Sequence, residues 1–466
     1  MSGSEIELSI RSQSESFVGA QASVEKENEV APSNAVSLPP VDTGFQAWAY
    51  LANADIRVIP GHTLSRTEFS LIIIAHKCTM AGVLAIVGSV SSGLLYLSSI
   101  VILLLVNRYP WYKRQVMVFG LAIAVAGLVG AAYSTEPWQL VLTQGVMYSL
   151  GGSLLYFPMT TWMFEWFSAK KGLAAGIIFS GTGVGGVIMP FVVERLLNAY
   201  GHKTTLLAMA VASVAFTLPC FPYLKPRLPV AQIVGPRSFD TRFTRSGPFW
   251  ILFVPNSLQG LASLIPPLYI PTFASDLDLS STSGTLVLSV LYGASAPGYI
   301  FMGWLSDRFD LRYSILLSSI GSALAVLLLW GLSEGLPLLV VFACVYGFLA
   351  SSWPALWTRF STITSEDPHQ ASSVWSIFCA GKGIGSVLSA PIASSLPRTW
   401  YFTGRSDFAY SVKGYGPLII FTGLSLLFTS SASLYRSSPI PRRLADFFNT
   451  HLLTMLSPQN PAWRAT

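Results

Sequence analysis

The chain has 466 residues, of which 52% are hydrophobic and only 11% are Asp, Glu, Lys or Arg, against roughly 25% charged in an average soluble domain. A mean hydropathy of +0.55 excludes an ordinary soluble domain, and the length supplies about a dozen helices of ~20 residues, each crossing ~30 Å of hydrocarbon. The net charge of +6 sits in short basic clusters between apolar runs, so it reads as membrane topology and no nucleic-acid partner is expected.

Residues 1–43 are polar, rich in Ser and Glu, and lack the apolar core of a cleavable signal peptide, which predicts a disordered cytoplasmic tail. Gly44 to Leu51 starts like a membrane helix, but Asp55, Arg57, Pro60, His62, Arg66 and Glu68 follow. Each central Asp or Arg costs ~2.5–3.5 kcal/mol to insert, so the first span is expected to be abnormal or missing; the alternative is an ordinary helix with a polar interruption.

Apolar runs of spanning length follow at 80–106, 116–133, 138–164, 173–197 and 204–224, and again at 248–273, 285–302, 313–330, 336–357, 371–396 and 416–435. Residues 225–247 carry Lys225, Arg227, Arg237, Arg242 and Arg245 and read as a cytoplasmic linker between an N-terminal bundle, 44–224, and a C-terminal bundle, 248–435. Basic residues gather in alternate loops at Arg108, Lys113 and Arg114, at Lys170 and Lys171, at Arg308 and Arg312, at Arg359, and after the last span. By the positive-inside bias these loops and the C-terminus face the cytoplasm, and a cytoplasmic N-terminus requires that first span. The tail, 436–466, places Leu444, Phe447, Phe448, Leu452 and Met455 on one helical face beside Arg442 and Arg443, which suits either an inner-leaflet helix or a mobile tail.

Several positions carry chemistry. The turn Gly303 to Arg312 joins two apolar spans with a glycine for close helix approach and an aspartate and two arginines at the membrane edge. Lys382 is a cation about midway along an apolar run, which reads either as a binding residue in a wet cavity or as a lysine reaching to the rim. Ser180 to Gly186, with Pro190 beyond, is a small-residue stripe suited to close packing, with or without sliding. Glu194 and Arg195 read as a boundary pair. Cys78, Cys220, Cys344 and Cys379 are irregularly spaced, with neither metal-ligand spacing nor a disulfide framework. With no HExxH, G-x-S-x-G or paired intramembrane acids, no catalytic residue, metal or cofactor is expected and the chain does not read as an enzyme.

Gly303, Asp307, Arg308 and Arg312 occupy the four positions of a G-x-x-x-D-R-x-x-x-R turn. With the two apolar halves around a basic linker, this resembles the major facilitator superfamily. Pro40 to Trp48, and Glu165-Trp166-Phe167 followed by Lys170 to Gly176, are similar to signatures of its fungal monocarboxylate-transporter-like branch. The resemblance implies an all-α polytopic membrane protein of two six-helix bundles, and a gating role for Gly303, Asp307, Arg308 and Arg312, with Asp307 pairing with helix ends and arginines of its own bundle; a static anchor that only keeps the loop inside is the other reading. It also implies that Gln144 and Tyr148, and Asn256 and Gln259, line a central cavity and bind substrate with Lys382; interhelical bonding is the other reading. Trp353 and Trp357 could form an aromatic wall or anchor a membrane interface. Animal lactate carriers of this family have an aspartate and an arginine one turn apart where this chain has Ser295 and Tyr299, which speaks against proton-coupled lactate transport. The expected function is alternating-access transport of a small organic anion or related metabolite, with a proton as a candidate co-substrate and lipid as the surroundings, at the plasma membrane. A non-transporting sensor derived from a carrier, or a metabolite efflux pump, are the rival readings.

Overall fold

The computed structural model describes residues 41–42, 47–52, 81–224, 226–227, 242–365, 368–396, 410 and 414–435. Apart from a helical stretch at 47–52, the expected first span lies outside the described residues, as do the N-terminal tail, most of the linker and the C-terminal amphipathic segment.

Ten helices among the described residues are long and apolar enough to cross a membrane. They are α1 (Ala81–Arg108), α2 (Lys113–Ala132), α3 (Trp138–Trp166), α4 (Lys171–Thr217), α5 (Gly247–Asp276), α6 (Ser281–Arg308), α7 (Leu311–Trp330), α8 (Leu336–Thr364), α9 (Pro368–Ser395) and α10 (Gly416–Leu434). α4 has 47 residues, or about 70 Å at 1.5 Å per residue, more than twice the hydrocarbon thickness. It bends back at Gly201, where φ 75° and ψ 173° suit a residue without a Cβ. α4 therefore supplies two crossings, and the expected division near 197–204 is confirmed.

These helices are apolar on nearly every side, so apolar periodicity does not say which face is inside. Small and hydroxylated residues do, because lipid is as apolar as leucine and packing favours close backbones. Ser91, Ser99, Ser149, Ser153, Ser318, Ser376 and Ser386 are buried, while Val101, Phe119, Val211, Leu328 and Val341 are exposed.

Two seams join the halves: α1 packs on α9, and the first limb of α4 packs on α6. Counted back from the end of its half, α1 or α6 is the fifth span, and the first limb of α4 or α9 is the second. The seams therefore exchange under a pseudo-twofold operation. The register is an offset of 200 residues. Gly93 faces Val387 while Gly293 faces Val187; α1 and α6 each have 28 residues and end at Arg108 and Arg308. Loops bearing Lys113, Lys170, Lys171 and Arg308 lie at one end of the bundles, called here the basic end.

Candidate functional site

At the basic end of the α4/α6 seam, the first amides of α4 have no partner within their own helix. Asp307 supplies one from the other half: its Oδ1 accepts from the Gly172 amide at 2.9 Å and its Oδ2 from the Leu173 amide at 2.8 Å. This geometry exists because Gly303 lets the backbones touch; a Cβ there would run into the Gly172 carbonyl. Asp307 thus meets a helix end, that of α4, together with the electrostatic pull of Arg359 from its own bundle. Consecutive residues point ~100° apart on a helix, so Arg308 turns away and lies 5.9 Å above the Trp304 ring. The Arg312 Nη2 donates to the Tyr435 carbonyl at 3.2 Å, and the Tyr435 hydroxyl donates to Asp310 at 3.1 Å. Burial, reinforced by Asp310, pushes the Tyr435 phenol up to about 12. Gly303 and Asp307 thus form the seam, while Arg308 and Arg312 fasten its surroundings.

The adjacent turn is capped by Asp42, whose carboxylate accepts from the amides of Ser168, Ala169 and Lys170 at 2.9–3.0 Å. Trp48 meets Phe167 edge-on at 5.8 Å, and the Tyr50 hydroxyl donates to the Met159 carbonyl at 2.5 Å. The two passages that resemble branch signatures therefore touch one another.

The second seam carries its own contact, which sequence reading missed. Asn107 occupies the place of Asp307 in the first half, and its Nδ2 donates to Ser373 Oγ at 2.9 Å and Ser372 Oγ at 3.3 Å, at the start of α9. One level deeper, Ser99 Oγ donates to the Ser376 carbonyl at 2.8 Å. The signal available was the 200-residue offset from Asp307-Arg308 to Asn107-Arg108.

Lys382 lies 14 residues into α9, ~20 Å from its start, and is 3% exposed. Its Nζ donates to Gln259 Oε1 at 3.2 Å and Ser263 Oγ at 3.3 Å, and stands 6.0 Å from the Trp357 ring. These partners lie in the middle of α5, so the ammonium does not reach to the rim. Gln259 is held by donating through Nε2 to the Ala350 carbonyl at 2.9 Å.

Asn256, one turn before Gln259, brackets three helices. Its Oδ1 accepts from the indoles of Trp353 at 3.0 Å and Trp357 at 2.7 Å, and its Nδ2 donates to the Phe378 carbonyl at 2.7 Å. Trp353 and Trp357 are fully buried, which corrects the interface-anchor reading. Gln144 and Tyr148 lie in a π-helical stretch of α3, Val141–Tyr148. Tyr148 packs in a cluster with Leu128, Val193, Leu206 and Met209, and the buried Gln144 Nε2 has no acceptor among the described residues. No described bond brings either to Lys382.

Between Lys382 and the basic end lies a layer of rings drawn from both halves. Tyr96, Tyr156 and Phe179 come from α1, α3 and α4, and Tyr299, Trp357 and Trp375 from α6, α8 and α9. Phe179 stacks on Tyr299 at 5.5 Å; Trp357 meets Tyr96 at 5.8 Å, Phe179 at 5.9 Å and Trp375 at 6.0 Å. Tyr299 belongs here, while Ser295 Oγ donates to the Tyr292 carbonyl at 2.6 Å within α6. In the Ser180–Gly186 stripe, Gly183 and Gly186 face Ala296 and Tyr292 across the seam. Among the described residues, no three His, Cys, Asp or Glu side chains are placed to hold a metal ion.

The sequence profile of the Major Facilitator Superfamily matches residues 61–389 and 257–464. An MFS-type transporter of Gibberella moniliformis is 24% identical over 384 residues, 80% of this chain and 89% of that protein. The MFS-type transporter hasB of Aspergillus fumigatus is 27% identical over 446 residues, 89% of this chain and 94% of its own length. A crystal structure of the nucleoside transporter NupG superposes with a TM-score of 0.61 at 16% identity, covering 84% of this chain and 100% of that one; that likeness concerns the fold.

Proposed function

The chain belongs to the Major Facilitator Superfamily, a family of membrane transporters rather than enzymes, and from that premise we propose that it carries a small organic anion by alternating access with Lys382 as the counter-charge. It is a multi-pass membrane protein with ten membrane-capable helices among the described residues. The single observation supporting the anion is the Lys382 ammonium, buried mid-helix and held by Gln259 and Ser263 beside the Trp357 ring. A lysine at such depth costs ~2.5–3.5 kcal/mol to insert, an expense consistent with a role in binding. In this reading Gln259 and Ser263 aim the ammonium, and Asn256 positions the helices around it.

By the positive-inside bias the basic end faces the cytoplasm. The Asp307 contact with Gly172 and Leu173 then closes the inner side, and substrate exit requires it to part. With Ser295 and Tyr299 in α6, this route assigns no proton-carrying acid to those positions.

Uptake of radiolabelled carboxylates into proteoliposomes tests the reading. Removing a charge-assisted contact worth ~1.5–3 kcal/mol predicts a tenfold or greater fall in carboxylate affinity for Lys382→Ala. Equal uptake by both proteins would remove Lys382 from the site, and no uptake by either would favour the sensor reading.

A further inference from the structure

We infer that the anion taken at Lys382 carries a flat aromatic or conjugated face, so that the site selects aryl acids over aliphatic acids of the same charge and bulk. The inference rests on the anion reading above and adds the substrate's second chemical feature.

Three observations carry it. First, the layer beneath Lys382 is made of three rings from each half, so parting of the halves separates ring from ring: Phe179 from Tyr299 at 5.5 Å, Tyr96 from Trp357 at 5.8 Å and Tyr156 from Trp375 at 6.4 Å. A planar substrate face replaces the lost partner with the same offset or edge-on geometry, whereas a saturated chain supplies neither quadrupole nor flatness. Second, Trp357 belongs both to the layer and to the charge site, with its ring 6.0 Å from the Lys382 Nζ. An acid group on the ammonium therefore places the rest of the molecule against aromatic walls. Third, Trp375 is 1% exposed and its indole N–H has no acceptor among the described residues. Such a donor, buried among Tyr156, Phe157, Phe164 and Trp357, is available to a ring oxygen or carboxylate of a bound molecule. Packing alone would be served by phenylalanine there.

The test uses the purified full chain in lipid nanodiscs and a matched pair of probes, phenylacetate and cyclohexylacetate, with binding read by competition and transport read in proteoliposomes. Loss of one or two ring–ring contacts corresponds to a preference of about tenfold for phenylacetate. Trp375→Leu, and independently Phe179→Leu should the first variant fold poorly, are expected to reduce that preference to about threefold or less, with phenylacetate binding weakened more than cyclohexylacetate binding. Equal affinities of the wild-type protein for the two probes, both lost in Lys382→Ala, would overturn the aromatic selectivity while leaving the anion site standing. Binding of neither probe would overturn both.

Discussion

The α4/α6 and α1/α9 seams share a register but not a chemistry. At the basic end of the first, an aspartate receives two amides from a helix start; at the corresponding place in the second, Asn107 donates to two serine hydroxyls. A hydrogen bond to a charged group contributes ~1.5–3 kcal/mol, against ~0.5–1.5 kcal/mol for a neutral one. Close approach differs as well: Gly303 permits backbone contact with Gly172, whereas Leu103 stands at the equivalent place in α1 and the tight approach there moves to Gly93 and Gly383. By the same offset the counterpart of Lys382 in the first half is Thr182. A duplicated scaffold thus holds a charged latch at Asp307 and a buried mid-helix lysine at Lys382, each on the C-terminal half, so the two seams are expected to open with unequal resistance.

The largest effect expected from breaking that inequality comes from Gly303→Val. Its side chain would meet the Gly172 carbonyl, and overpacking of ~1–3 kcal/mol or more should prevent the inner side from closing. Cross-linking between cysteines placed at Ala169 and Phe309 should fall sharply, and unchanged cross-linking would mean that the backbones need not touch. Asp307→Asn keeps the shape and removes the charge, and a loss of ~1.5–2 kcal/mol predicts a tenfold or greater shift of population toward the inward-open state. Accessibility of a cysteine placed at Ser306, buried against Gly172 in this state, to a water-soluble maleimide measures it; no change would place the latch elsewhere. The smallest effect belongs to Asn107→Ala, about 0.5–1 kcal/mol. If it shifts accessibility as much as Asp307→Asn does, the two seams are equivalent and the comparison fails.

Much of this was legible in the sequence, and the reasons are specific. Eleven apolar stretches coincide with the described crossings because lipid demands length and apolarity of each, and Gly201 falls between two of them. Gly303 and Asp307 stood out as a glycine and an acid at a membrane edge. The partner of Asp307 did not, because an amide at the start of α4 leaves no side-chain signature. Asn256 looked like a cavity residue, yet its bonds to Trp353, Trp357 and Phe378 depend on how three helices meet. Apolar helices conceal which face is inside, so nothing local placed Tyr148 in the α2–α4 cluster. The ring layer was invisible for the same reason: its six members lie on six helices, and no spacing connects them.

By the proposed route, an anion at Lys382 is expected to favour opening of the Asp307 seam. Pulsed electron paramagnetic resonance between labels at Ala169 and Phe309, both exposed at the basic end, reads that opening directly in nanodiscs. Phenylacetate should raise a longer-distance population in the wild-type protein and leave Lys382→Ala unchanged. A distance distribution that ignores the anion in both proteins, or responds identically in both, would contradict the account.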